Sequence, residues 1–195
     1  MRLAVFCMVA MVFGTTVALA PVQQPRKTNP DADRINYKIQ RLLIMDQLLP
    51  VLLTKEQVKA LLPVIEKARQ DEIDVEKKEL EQLKAIEPEL DKELDAAIKE
   101  RKTPTDEFTA KFNKMVGEFT VKRRLLVDLS AFAVLKKMKE VCNDGQLKAA
   151  EKALDPKAMG EKDPESFTSD QKIILWIRNV LLDRASYDVL VDMSR

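Results

Sequence analysis

Few side chains in this chain are able to do covalent chemistry. No His occurs among the 195 residues, which removes Ser-His-Asp and Cys-His nucleophilic arrangements and the Glu-x-x-His di-iron bundle. The 2 Cys, Cys7 and Cys142, are too few for a zinc site without His. Four Gly in the whole chain leave no material for a phosphate-cradling loop. Carboxylates abound, as in Asp71-Glu72, Glu79 and Glu81, and Glu87 and Glu89. On a helix, residues one or two apart do not face each other, so these pairs suit a solvated face rather than acid–base work. Met45, Met115, Met138, Met159 and Met193 are scattered at spacings that suit core filling rather than a copper site. The expectation is therefore a protein that is not an enzyme and needs no cofactor or metal.

The densest basic spot is Lys122-Arg123-Arg124, which is either plain helix surface or a contact for an acidic partner or lipid headgroups. Over the whole chain, 33 Lys and Arg balance 32 Asp and Glu, a net charge of +1. A domain-wide basic excess is missing, so nucleic acid is not an expected partner. Charged residues make up 33% and aromatics 5% of the chain, a composition of long surface helices, while 46% apolar residues suffice for a core.

The elements that position these groups begin after a targeting segment. Met1-Arg2 is a basic start, Leu3 to Leu19 is largely apolar, and Ala18-Leu19-Ala20 is an A-x-A cleavage site followed by Pro21. An uncleaved anchor is the alternative, since the run is just long enough to span a bilayer. Residues 1–20 are read as a signal peptide of an exported chain, with no membrane insertion after cleavage. Cys142 is then the one thiol of the mature chain, either a small buried hydrophobe or a partner for an intermolecular disulfide.

Residues 21–32 read as a flexible N-terminus. Asp33 is the expected cap of a first helix carrying Ile35, Ile39, Leu42 and Leu43, ended by Pro50. Thr54-Lys55-Glu56-Gln57 is a capping box, with Leu53 and Val58 as its hydrophobic staple. It opens a helix whose apolar residues, Val58, Leu61, Leu62, Ile65, Ile73, Leu80, Leu83, Leu90, Leu94 and Ile98, recur at near-heptad spacing. Such a stripe belongs to helices packed side by side. Pro63 should kink this helix locally, and Pro88 should bend or break it. Thr103 with Pro104 at the first helical position starts the next long helix, which runs to Val141 and folds back antiparallel on its predecessor. Asn143 and Gln146 form a second capping box, opening a short helix ended by Asp155-Pro156. Residues 156–167 read as a linker. Thr168 and Gln171 make a looser third box before a last helix, residues 168–195, in which Trp176 is the anchor.

Leu53-Thr54-Lys55-Glu56-Gln57 and Cys142-Asn143-Asp144-Gly145-Gln146, on the second and fourth helices, with the entry Thr105-Asp106-Glu107-Phe108, resemble the Spy/CpxP family of bacterial periplasmic proteins. That family carries paired L-T-x-x-Q motifs. The second copy here lacks the Leu and Thr, and the C-terminal helix is additional to the family pattern. The resemblance spans residues 33–155. It implies an all-α, elongated hairpin of long antiparallel helices with flanking short ones. It also implies a homodimer acting in the periplasm as an ATP-independent chaperone for unfolded or other envelope proteins. Two alternatives are a structural adaptor whose last apolar helix docks a fixed partner, and a stress- or metal-responsive regulator of a membrane sensor kinase.

Overall fold

Thr54 opens the longest element by the expected mechanism. Its hydroxyl accepts from Gln57 N at 3.2 Å, while the Gln57 side chain accepts from Thr54 N at 2.8 Å. Two of the four orphan donors of the helix start are thereby satisfied. The computed structural model describes residues 29–161 and 163–195. The expected signal peptide and most of the expected flexible N-terminus lie outside the described residues. Among the described residues the elements are α1 (Pro30–Leu48), α2 (Lys55–Glu100), α3 (Asp106–Val141), α4 (Asp144–Ala153), α5 (Ser169–Trp176) and α6 (Ser186–Met193), with no strand. The fold is all-α, as expected. No helix among them is long and apolar enough to cross a membrane.

Helix α1 starts earlier than Asp33. The Asn29 side chain accepts from Asp31 N at 3.1 Å and its carbonyl from Asp33 N at 3.0 Å, with Pro30 at the first helical position. Asn-Pro is the stronger start signal, because proline has no N–H to orphan there. The helix yields at Leu48 to a 310 turn, Leu49–Val51, which contains Pro50.

Helix α2 runs unbroken for 46 residues, about 70 Å at 1.5 Å per residue. Neither proline ends it. Pro63 and Pro88 are exposed, as are Lys59 and Lys84, whose carbonyls lose a donor. On either side of Pro88 the helix is tied to α3: Ile86 is buried, Glu89 pairs with Lys111, and Glu93 holds Thr105. Tertiary contacts thus outweigh the local cost of the proline.

The return also differs from expectation. Thr105, not Thr103, caps α3, accepting from Phe108 N at 3.3 Å. Glu93 of α2 selects it, taking Thr105 N at 2.9 Å and the Thr105 hydroxyl at 2.8 Å. Phe108 and Phe112 stack with ring centroids 6.0 Å apart beside this turn.

The core lies at the opposite end of the hairpin. Val58, Leu61 and Ile65 of α2 meet Ala131, Val134, Leu135 and Met138 of α3. The last part of α1, the 310 turn, α4 and everything after Thr168 close over them. The expected single C-terminal helix is two helices. After Trp176 the chain makes a π turn, Ile177–Leu181, in which Leu182 N reaches back five residues to Ile177 O at 2.9 Å. Asp183 then accepts from Ala185 N at 2.8 Å and the Ser186 hydroxyl donates to Val180 O, so the chain turns before α6. Trp176 is fully buried and its Nε1 donates to Gln47 O of α1 at 3.3 Å. The segment expected to be additional belongs to the same core as α2, α3 and α4. Residues 38–195 form one compact unit.

Candidate binding face and glutamine clamp

The capping glutamines meet. Gln57 Nε2 donates to Gln146 Oε1 and Gln146 Nε2 donates to Gln57 Oε1, both at 2.8 Å. Each amide also reaches across to the other motif's backbone. Gln57 Nε2 donates to Val141 O, and Gln146 Nε2 to Leu52 O, both at 2.8 Å. Adding the caps, Thr54 N to Gln57 at 2.8 Å and Asn143 N to Gln146 at 3.0 Å, each side-chain amide uses both hydrogens and both lone pairs. Gln146 is only 8% exposed, so the network is satisfied largely out of water. Leu53 packs half-buried on the core beside its staple partner Val58. Thus Leu53, Thr54, Gln57, Asn143 and Gln146 converge at the start of α2 and α4. An amide pair neither titrates nor attacks a carbonyl, so this is a clamp and not a reaction site.

Cys142 lies beside the clamp with a free thiol, half-buried against the core. Burial pushes its pKa up, which disfavours the reactive thiolate.

The basic cluster on α3 is divided. Lys122 and Arg124 face solvent, but Arg123 turns to α2. Its Nε lies 2.8 Å and 3.0 Å from the two Glu79 oxygens, and Nη2 completes a fork. Glu79 is only 3% exposed. Hydrogen bonding to Glu79 holds the Arg123 guanidinium pKa above its usual value. Arg123 therefore ties the helices together, and a partner surface here is reduced to its two neighbours. The signal for Glu79 was present in its register: it lies seven residues before Ile86 and fourteen after Ile65, on the buried seam.

That seam divides the apolar stripe of α2. Val58, Leu61 and Ile65 are buried, yet Leu80, Leu83, Leu90 and Leu94 are 41–52% exposed and Ile98 more so. Past Ile65 the side facing α3 is Glu79, Ile86 and Glu93. The leucines fall on the adjoining face with Arg69, Ile73 and Glu76, related by steps of three, four or seven. The first part of this face is covered by the chain itself. Arg184, just before α6, donates to Glu72 at 3.1 Å and pairs with Glu76. Arg69 donates to Arg184 O at 2.9 Å and lies 4.7 Å over the Tyr187 ring. From Leu80 onward the face is open.

Further ion pairs hold the C-terminal segment to its neighbours: Arg178 to Asp128, Lys139 to Asp170 at 2.7 Å, and Arg41 to Asp192. Although Arg178 meets Asp128, burial and then Arg124 pull its pKa down. A cleft of about 440 Å³ beside the π turn contains Gln47, Asn179, Asp183 and Arg184. Three of its polar side chains are already in use: Asn179 donates to Leu175 O at 2.7 Å, and Asp183 and Arg184 make the contacts given above.

Comparison with protein-family models, with curated proteins and with solved structures gives no match.

Proposed function

We propose that this chain binds other proteins without chemistry, as an ATP-independent chaperone of the periplasm. The observation that carries the proposal is the open row of Leu80, Leu83, Leu90, Leu94 and Ile98. Large apolar side chains in one contiguous row mark an interaction surface rather than incidental exposure. The row lies on a hairpin stem braced by Glu79–Arg123, Glu89–Lys111 and Glu93–Thr105, so the face is presented on a rigid element. Mixed charges around it favour weak, adaptable contacts over a single rigid fit. Release of a client then rests on that weak affinity or on the client's own folding. The paired capping boxes and the A-x-A site at Ala18-Leu19-Ala20 support the resemblance to the Spy/CpxP family and export to the periplasm.

The adaptor alternative needed the last apolar helix as its docking face. Ile173, Trp176 and Ile177 are buried in the chain's own core, so that face is already occupied. Self-association is part of the proposal through a different surface. Val121, Leu125, Leu129 and Phe132 form an exposed row on α3, bordered by Lys122, Arg124 and Lys136, and a second copy would cover it. The test is aggregation of an unrelated denatured protein with the purified chain and no nucleotide. Suppression at near-stoichiometric ratio, weakening with salt, is expected. A monomeric chain that leaves aggregation untouched at large excess would overturn the proposal.

A further inference from the structure

We infer that the open face of α2 is selective for basic amphipathic helices, an inference that rests on the protein-binding role proposed above. The chain carries its own example. Where the face is covered, the occupant is a short helical segment with an apolar side. Its Arg184 is forked between Glu72 and Glu76, and its Tyr187 lies under Arg69. Beyond Leu80 the same face again sets an acid between apolar residues, as Glu76 lies between Ile73 and Leu80. Glu87 sits four residues after Leu83 and three before Leu90, and Asp91 follows one turn later. Glu87 and Asp91 enter none of the ion pairs formed among the described residues, whereas Glu72 and Glu76 are answered by Arg184. A helix laid on the leucines therefore brings its flanking residues over two carboxylates. Lys or Arg there is attracted, and Asp or Glu is repelled.

A second copy fits this face less well. The row offers on the order of a few hundred Å², below the ~800 Å² per partner that a standard stable interface buries. A two-fold pairing of the row with itself would also bring Glu87 near Glu87, like charge on like. A segment of another protein meets neither difficulty.

The test uses the whole chain and two synthetic helical peptides of one leucine pattern, one with lysines and one with glutamates on the polar side. Fluorescence anisotropy should give at least about tenfold tighter binding of the lysine peptide, fading with salt. Glu87→Lys with Asp91→Lys, both at exposed positions, should reverse the preference while circular dichroism stays that of the parent. Equal affinity for the two peptides, or an unreversed preference, would overturn the inference. If aggregation is still suppressed in that case, the general binding role survives. If the chain neither suppresses aggregation nor binds either peptide, both fall. Sedimentation of Leu83→Ser with Leu90→Ser supplies the last arm: loss of an oligomer in this variant would assign the face to a second copy and overturn the inference.

Discussion

Replacing Gln146 by Ala should cost far more than an ordinary helix cap. Gln146 closes one capping box, donates to Leu52 O, and exchanges two hydrogen bonds with Gln57. Its truncation leaves Asn143 N, Leu52 O and one N–H of Gln57 Nε2 without partners, while the other Gln57 N–H keeps Val141 O and Gln57 Oε1 keeps Thr54 N. Each orphaned group is worth about 1 kcal/mol when water can reach it only in part, so the loss should be about 3 kcal/mol. For a chain of this size that corresponds to roughly 6–12 °C in Tm. Gln171→Ala is the internal control. It closes the third box, Thr168 N to Gln171 at 2.8 Å, but is exposed and has no facing glutamine, so about 1 kcal/mol is expected. Urea unfolding followed by far-UV circular dichroism measures both. Gln57→Ala combined with Gln146→Ala should fall short of the summed single effects by ~1–2 kcal/mol, because both remove the same amide pair. Equal losses for Gln146→Ala and Gln171→Ala, or strict additivity of the double variant, would refute the clamp.

Three other perturbations address the stem. Arg123→Ala strands the Glu79 carboxylate between the helices, and its urea midpoint should drop by an amount equivalent to about 2–3 kcal/mol. That is less than for a fully enclosed pair, because the Arg123 side chain is 42% exposed, and Glu79→Leu in the same chain should recover most of the loss. Pro88→Ala restores a donor to the Lys84 carbonyl and should raise stability by ~1–3 kcal/mol in the same assay, or slow amide exchange around residues 84–92. Hydrogen bonds from the Thr105 backbone and then its hydroxyl depress the Glu93 pKa, and a hydrogen bond from Arg41 depresses that of Asp192. A carboxylate depressed in the folded state contributes stability above its unfolded pKa and loses it as pH falls through the folded one. An acid titration of Glu93→Gln should therefore begin less stable than the parent near neutral pH, and lose less of its stability below about pH 4.

What local chemistry determines was legible in the residues. Thr54 with Gln57, Asn143 with Gln146 and Thr168 with Gln171 each open a helix by bonds within four residues, and α3 ends at Val141 as its pattern indicates. The errors arise where contacts distant in sequence decide. Glu93 moves the α3 cap from Thr103 to Thr105, and packing against α3 carries α2 through Pro88. The division of the α2 stripe has a geometric origin. The row keeps to short and seven-residue steps except from Ile65 to Ile73, a step of eight that lands one residue past the seam position 72, about 100° round a helix of 3.6 residues per turn. One continuous list of leucines therefore begins on the seam at Val58 and ends on open surface at Ile98. The meeting of Gln57 with Gln146 spans 89 residues, and no local pattern announces it. A charged residue in register with Ile65 and Ile86 did mark Glu79, and the neighbouring cluster Lys122-Arg123-Arg124 contained its partner.

The most direct test of the central claim is site-specific crosslinking from the open face of α2. A photoreactive residue at position 83 or 90 lies in the leucine row, and one at exposed Glu81 lies on the far side of the same helix. With a chemically denatured, unrelated protein added to the chain, positions 83 and 90 should yield the mixed adduct and position 81 should not. Adducts of equal yield from all three positions, or from position 81 alone, would contradict binding through this face.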